Sequence, residues 1–170
     1  APENLVRGQF SGYLAEPGVR PDSRVETFAA LKLEIDSWRW QGVPFYIRAG
    51  KSLPVACTEV IVRLRQPPTM YRNFDLKSNH FRFRISPEIE GVRHLGSKDM
   101  DAYERVLTDA MDGDATLFAR QDYVEEAWRI VDPVLKADTP VFPYEPQTWG
   151  PREVGRVTPS GGWHDPVVGR

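Results

Sequence analysis

The chain has 170 residues, which is enough for one ordinary domain with a hydrophobic core. Its 22 basic and 24 acidic residues nearly balance, which argues against a nucleic-acid-binding surface, and no apolar run approaches the roughly 18–20 residues of a membrane-spanning helix. The single cysteine, Cys57, excludes an internal disulfide and fits a reducing, cytoplasmic location.

Prolines and glycines recur throughout residues 1–26 and disfavour long regular structure, so the sequence predicts an irregular opening segment there. Residues 30–36 then alternate between apolar and charged side chains. This period of two predicts a half-buried strand, although alanine and leucine would also tolerate a helix. The apolar positions of this strand are Leu31, Leu33 and Ile35.

Residues 38–51 combine a turn, a strand and a basic strand end. Glycine and proline mark a turn at 41–44, and the aromatic and β-branched run at 45–47 predicts a short strand. Gly50 lets the backbone leave that strand, and Lys51 follows it. A cation held on a rigid scaffold beside a glycine suits an anionic or hydroxyl-rich ligand. The plainer interpretation is a solvated lysine after an edge strand.

Two more segments, 58–64 and 81–86, alternate in the same way and predict two further strands. In the second, Phe81, Phe83 and Ile85 share one face and arginines take the other. Aromatic and basic alternation also occurs in nucleic-acid binding, but this spacing favours a core face backed by a solvated or interface face. Three such strands favour an antiparallel sheet with one solvated face.

Two helices are predicted in the second half of the chain. The first ends at Gly113, and the second begins at Asp122 with a capping-box-like Glu125 and ends at Pro133. Residues 137–170 lack periodicity and are predicted to wrap the sheet edge as an ordered tail. The apolar stripes are Tyr103, Val106, Leu107 and Ala110 in the first helix, and Val124, Ala127, Trp128 and Val131 in the second.

The sequence contains no catalytic constellation. It lacks a glycine-rich strand-to-helix turn for a dinucleotide, and it lacks a phosphate-binding P-loop. The histidines His80, His94 and His164 are scattered, with no metal-ligand spacing among them or with Cys57. We therefore predict no catalytic, cofactor-binding or metal-binding residue within the chain.

Residues 38–51 (WRWQGVPFYIRAGK) resemble a segment of the C-terminal domain of the glucose-6-phosphate dehydrogenase family. Other blocks resemble the same family in its own order, so the resemblance covers nearly the whole chain. These blocks are residues 7–10 and 12–13, 26–33, 103–105, 113–120, 125–128 and 149–151. The resemblance implies an α+β fold with a large, mostly antiparallel sheet and helices packed on one face. It also implies that residues 1–170 form one substrate-wall and dimerisation domain.

The resemblance implies that this chain is part of an NADP-dependent enzyme. That enzyme oxidises glucose 6-phosphate to 6-phosphoglucono-lactone in the pentose phosphate pathway. In the family, the catalytic histidine and the main coenzyme site lie upstream of this region. Since the chain opens with Ala1, we expect a piece of a longer protein that is inactive when isolated. Lys51 matches the lysine of the family's RxGK motif, which contacts the sugar phosphate. A homo-oligomer through the sheet is also implied.

The sequence departs from the family pattern at several positions. Ala56 and Ser86 replace a second basic contact and a glutamine, which puts normal substrate binding in question. Arg84 matches a strand arginine that helps animal forms to hold a structural NADP, but Trp149 replaces another arginine of that site. We therefore predict no structural NADP, with Trp149 and Trp163 packing as aromatic lids. The alternatives are a stand-alone dimerisation or regulatory module without catalytic activity, and a purely structural β domain.

Overall fold

The structure, a computed structural model, describes residues 2–65, 79–86, 102–116, 118–136 and 138–167. The chain forms two compact units, of which the first comprises Ala1–Glu88 with Thr139–Arg170 and the second comprises Ile89–Asp138. Strands occupy the first unit and two helices the second, which confirms the predicted α+β class. None of the described helices has the length and apolar character needed to cross a bilayer.

Six strands, arranged in two sheets, lie within the described residues of the first unit. They are β1 (Leu5–Phe10), β2 (Phe28–Glu34), β3 (Pro44–Gly50), β4 (Thr58–Arg63), β5 (His80–Ser86) and β6 (Val141–Tyr144). Four strands pair in the order β3-β2-β1-β6, and β4 pairs with β5 separately. Every pair is antiparallel except β1 with β6, which is parallel. The mostly antiparallel character is confirmed, and the strands are divided between two sheets.

Strand β1 corrects the prediction of an irregular opening segment. Gly8 interrupts the apolar alternation of this strand, so the sequence shows no strand pattern there. A Cβ atom at Gly8 would lie 3.1 Å from both the Tyr144 ring and the Pro151 side chain. The glycine therefore permits close packing within a central strand, and it does not end the strand.

The core of the first unit is small and centres on Phe28, whose exposed fraction is 1%. Its buried hydrophobic residues are Val6, Phe28, Ala30, Tyr144 and Val157. A Cβ atom at Gly150 would lie 2.4 Å from the Phe28 ring, and the φ of +102° at this glycine is itself unfavourable for other residues. The backbone thus packs directly against the aromatic ring.

Residues 137–170 were predicted to wrap the sheet edge as a tail, and this prediction is wrong for β6. This strand extends the sheet beside β1, and Pro143 is tolerated because an edge strand has one side without a ladder partner. A 3₁₀ helix, Arg152–Val157, follows and buries Val157. The segment is short and proline-containing, so its sequence shows too little alternation to identify a strand.

The predicted core face of β4 and β5 is not covered by the described residues of the first unit. Within the first unit, Phe81, Phe83 and Ile85 remain more than half exposed. The opposite, charged face is the covered one, since the side chains of Glu59 and Arg84 are 3% and 12% exposed. The reason is that residues near the C-terminal end of the described chain bind the charged face through hydrogen bonds.

The two predicted helices are present as α1 (Ala102–Asp112) and α2 (Gln121–Leu135). Helix α1 ends before Gly113, which has φ +73°, as predicted. The predicted capping box is wrong, because the N-cap is Arg120 and has no side-chain capping bond. The predicted stop at Pro133 is also wrong, since only one N–H is lost there and the final turn still closes between Lys136 N and the Asp132 carbonyl at 3.0 Å.

Candidate functional site

Lys51 follows β3 directly, at the predicted transition from strand to loop. Its backbone N–H donates to the Thr27 carbonyl at 2.8 Å, and its own carbonyl accepts from the Tyr144 hydroxyl at 2.8 Å. The side chain is exposed, and it forms no ion pair with any residue in the described part of the chain. The backbone of this lysine is therefore fixed while its ammonium remains available to a ligand.

A chain of hydrogen bonds leads to the Lys51 carbonyl. The N–H of Phe10 donates to the Thr27 hydroxyl at 3.0 Å, and that hydroxyl lies 3.1 Å from the Tyr144 hydroxyl. Burial raises the pKa of the Tyr144 phenol above its usual value, with the Thr27 hydroxyl acting in the opposite direction. Tyr144 therefore stays protonated at neutral pH and remains a donor.

The loop after Lys51 is held in a second place. Ser52 has φ +51° and Gln147 has φ +61°, both in the left-handed region that costs energy for residues other than glycine. The Gln147 N–H donates to the Ser52 carbonyl at 2.7 Å, which joins the two unusual residues. Two hydrogen bonds from the segment that includes and follows β6 thus define the course of the chain through Lys51 and Ser52.

The glycine before the lysine has a packing role in place of the predicted conformational one, since its φ does not lie in the left-handed region. A Cβ atom at Gly50 would lie 2.8 Å from the Phe28 ring and 3.3 Å from the Thr27 carbonyl. Any larger residue would push the end of β3 away from the core. The Gly50-Lys51 pair therefore couples the exposed cation to the most buried residues of the first unit.

The structure bears on one of the two substitutions that put substrate binding in question. Ala56 is exposed in the loop between Lys51 and β4, so no second basic side chain stands there. Cys57 is half-buried and precedes β4. The expectation about the Ser86 side chain lies outside the described part of the structure.

The sequence did not predict the cluster that surrounds Arg48 on β3. It did predict that two members of this cluster, Trp149 and Trp163, pack as aromatic lids. The Arg48 guanidinium lies 4.5 Å from the Trp149 ring centroid and 4.9 Å from that of Trp163. It also donates to Asp165 Oδ1 at 2.6 Å and to the His164 carbonyl at 3.1 Å. Trp149 and Trp163 thus pack as lids, as predicted, and they cover an arginine that is 8% exposed.

Two further arginines bind the same C-terminal segment from β4 and β5. Arg84 donates twice to Glu59 Oε1, at 2.8 and 2.6 Å, and once to the Val167 carbonyl at 3.1 Å. Arg63 donates to the carbonyls of Ser160 and Gly162. The alternating arginines of β5 indicated that this face binds another segment. The C-terminal segment that Arg84 contacts lies far away in the sequence, so it could not be identified from the pattern.

The histidines form no metal site in the described part of the chain, where no group of three or more suitable ligands is found. His80 begins β5, and His94 lies outside the described residues. His164 Nε2 lies 3.5 Å from Glu59 Oε2. Neither of these two atoms has a hydrogen-bond partner among the described residues.

We expect Arg48→Lys to reduce the free energy of unfolding by about 1–2 kcal/mol, because an ammonium cannot reproduce the planar stacking between two indole rings. Chemical denaturation of both proteins would measure the difference. Arg20→Lys is the matched control, since Arg20 forms an exposed ion pair with Asp22 and lies over no aromatic ring among the described residues. Equal losses at both positions would contradict the role assigned to the tryptophan lids.

Comparisons with known proteins identify one family. A sequence profile described as the C-terminal domain of glucose-6-phosphate dehydrogenase matches residues 1–94 and 90–164. The glucose-6-phosphate 1-dehydrogenase of Aggregatibacter actinomycetemcomitans is 37% identical over 203 aligned residues, which cover 96% of this chain and 41% of that protein. The Treponema pallidum protein of the same name is 38% identical, with 95% and 38% covered.

Solved structures agree with the sequence matches. The crystal structure of glucose-6-phosphate 1-dehydrogenase from Mycobacterium avium aligns with a TM-score of 0.86 and 38% identity, covering all of this chain and 42% of that one. A glucose-6-phosphate dehydrogenase in complex with its substrate glucose-6-phosphate aligns with a TM-score of 0.80 at 24% identity, which shows likeness of fold. The chain spans about two fifths of the length of these relatives.

Proposed function

The chain belongs to the glucose-6-phosphate dehydrogenase family, as its C-terminal domain, and from this premise we propose that it completes the substrate site of a cytoplasmic, NADP-dependent dehydrogenase. This enzyme oxidises glucose 6-phosphate to 6-phosphoglucono-lactone. Residues 1–170 supply one wall of the substrate site and a dimerisation surface. A nucleotide-binding domain outside this chain supplies the coenzyme site and the acid–base residues.

Lys51 is the residue that we assign to the sugar phosphate. The observation that carries this assignment is an exposed ammonium without an ion pair among the described residues, on a backbone held by hydrogen bonds in both directions. It stands in the Arg-Ala-Gly-Lys sequence that matches the family motif. A cation on a fixed backbone stabilises an anionic substrate and orients it with little loss of entropy on binding.

We propose that NADP acts in this enzyme as the coenzyme held by the nucleotide-binding domain, and that this chain holds no structural NADP. The one arginine that matches the animal site is already engaged within the chain, since Arg84 pairs with Glu59. Trp149, which replaces another arginine of that site, packs on the Arg48 guanidinium. The residues present therefore do not fit a second nucleotide without the loss of these interactions.

A homo-oligomer through the sheet is also part of the proposal. One face of β4 and β5 carries apolar side chains that remain about half exposed within the first unit. They are Val60, Val62, Phe81, Phe83 and Ile85. A contiguous apolar face of this kind supports burial against a second copy of the chain.

Lys51→Ala tests the proposed function in the complete dehydrogenase that contains this chain. We expect the KM for glucose 6-phosphate to rise by about tenfold or more, because a hydrogen bond to a charged group contributes about 1.5–3 kcal/mol. Initial rates at varied sugar phosphate and saturating NADP would measure the change, and the KM for NADP should stay the same.

Lys32→Ala is the matched control for this experiment. Lys32 lies on the neighbouring strand β2, where it pairs with Glu34 at 3.2 Å, so its loss should leave both KM values unchanged. An unchanged KM for glucose 6-phosphate in Lys51→Ala would refute the assignment of Lys51. If the complete protein also fails to reduce NADP with this sugar phosphate, the non-catalytic module becomes the better description.

A further inference from the structure

We propose that Tyr144 is a positioning residue for Lys51. The Tyr144 hydroxyl holds the Lys51 carbonyl, so that the lysine ammonium meets the sugar phosphate at a defined place. This inference rests on the function proposed for Lys51. Tyr144 itself does not touch the substrate. It acts through the backbone of the residue that does, and the experiment must therefore separate these two roles.

The hydrogen-bond geometry assigns the direction of donation. Tyr144 has one hydroxyl proton and two carbonyl acceptors within reach, Lys51 at 2.8 Å and Thr27 at 3.3 Å. The shorter bond takes the proton, so the Thr27 hydroxyl at 3.1 Å is left to donate to the Tyr144 oxygen. Thr27 is in turn the acceptor for the Phe10 N–H. Such a continuous chain of donors strengthens each of its bonds.

Burial fixes the position of the tyrosine ring, and hence of its hydroxyl. Tyr144 is 4% exposed, and its ring centroid lies 5.5 Å from that of Phe28 and 6.4 Å from that of Phe10. A residue locked by packing on several sides has little freedom to move its polar end. The hydroxyl therefore provides a rigid reference point for the loop after β3.

The bond joins parts of the sheet that the strand ladder does not join. Tyr144 ends β6 and Lys51 follows β3, and these strands stand at opposite ends of the order β3-β2-β1-β6. The lysine side chain has a flexible four-carbon stem, so the backbone at Lys51 must be held if the ammonium is to have a preferred position. The separate bond from Gln147 to Ser52 keeps the loop folded when the tyrosine hydroxyl is removed.

Tyr144→Phe removes the hydroxyl and retains the ring in the core. In the complete dehydrogenase, we expect the KM for glucose 6-phosphate to rise about three- to tenfold, the range that corresponds to the loss of one net hydrogen bond. The KM for NADP should not change. Tyr46→Phe is the matched control, because the Tyr46 hydroxyl on β3 has no hydrogen bond to a described residue, and it should leave both constants unchanged.

A double-mutant cycle distinguishes positioning from a structural role. If Tyr144 acts through Lys51, Tyr144→Phe adds nothing further to the KM in the Lys51→Ala background. An equal increase in both backgrounds, or none in the wild type, overturns the inference and leaves the proposed function intact. If Lys51→Ala itself leaves the KM unchanged, the proposed function fails and this inference fails with it.

A second variant keeps the inference testable if Tyr144→Phe does not fold. Thr27→Val removes the hydroxyl that donates to Tyr144 and preserves its branched shape. We expect a smaller increase in the KM for glucose 6-phosphate, about twofold, because the bond from Tyr144 to Lys51 remains but loses its upstream donor. An unchanged KM in a folded Thr27→Val enzyme would also overturn the inference.

Discussion

Phe28→Ala is expected to reduce the free energy of unfolding by about 3–5 kcal/mol, the usual cost of removing a buried phenylalanine ring. We expect the loss at Phe28 to lie in the upper part of that range. Phe28 is 1% exposed and lies at the centre of the only cluster of buried hydrophobic residues found in the described first unit. That cluster is small, so the remaining side chains have little capacity to compensate.

The packing around Phe28 explains why the resulting cavity would not close. Three glycines, Gly8, Gly50 and Gly150, place their backbones against this residue. Strands and a turn with left-handed geometry hold these backbones in place, and a glycine has no side chain that can move into the space. The cavity would therefore persist, and its cost would add to the lost transfer energy.

Urea denaturation followed by circular dichroism would measure this effect. Leu14→Ala is a suitable control, since Leu14 is 42% exposed and its truncation should cost less than about 1 kcal/mol. Comparable losses at the two positions would show that the buried cluster does not control the stability of the first unit.

Glu59→Ala is expected to cost about 3–5 kcal/mol, because it leaves the Arg84 guanidinium buried without its counter-charge. The Glu59 side chain is 3% exposed, and one of its oxygens accepts two hydrogen bonds from Arg84. Among the described residues, the carbonyl of Val167 would then be the remaining acceptor for Arg84. Thermal and urea unfolding of the variant would determine the loss.

Two comparisons make the Glu59 experiment specific. Glu126→Ala removes an exposed ion pair with Arg129 and should leave the free energy of unfolding nearly unchanged. Replacing Glu59 and Arg84 together with methionines should cost less than Glu59→Ala, since no unpaired charge would then be buried. If the double replacement is instead the more destabilised protein, the penalty does not come from the unpaired arginine.

The elements that the sequence predicted well are those defined by neighbouring residues. Strand β2 and helix α1 show their periodicity over fewer than a dozen residues, and Gly113 ends α1 by its own conformational freedom. The buried face of β2 was nevertheless predicted wrongly, because its fully buried residues are Phe28 and Ala30, and Ile35 is exposed. Strand β1 was missed because Gly8 has no side chain to contribute to a pattern. Only the positions of Tyr144 and Pro151 explain why a glycine is required there.

The same division applies to the candidate site. The sequence alone identified the family and predicted Lys51 at a strand end beside a glycine, because motif identity and a strand-to-loop transition are local properties. It could not reveal that Tyr144, 93 residues away, holds the Lys51 carbonyl. Nor could it choose the covered face of β4 and β5, since alternation distinguishes two faces without stating which of them is buried. The tertiary structure decided that choice, because the C-terminal segment supplies the carbonyl groups that the arginines of β4 and β5 bind.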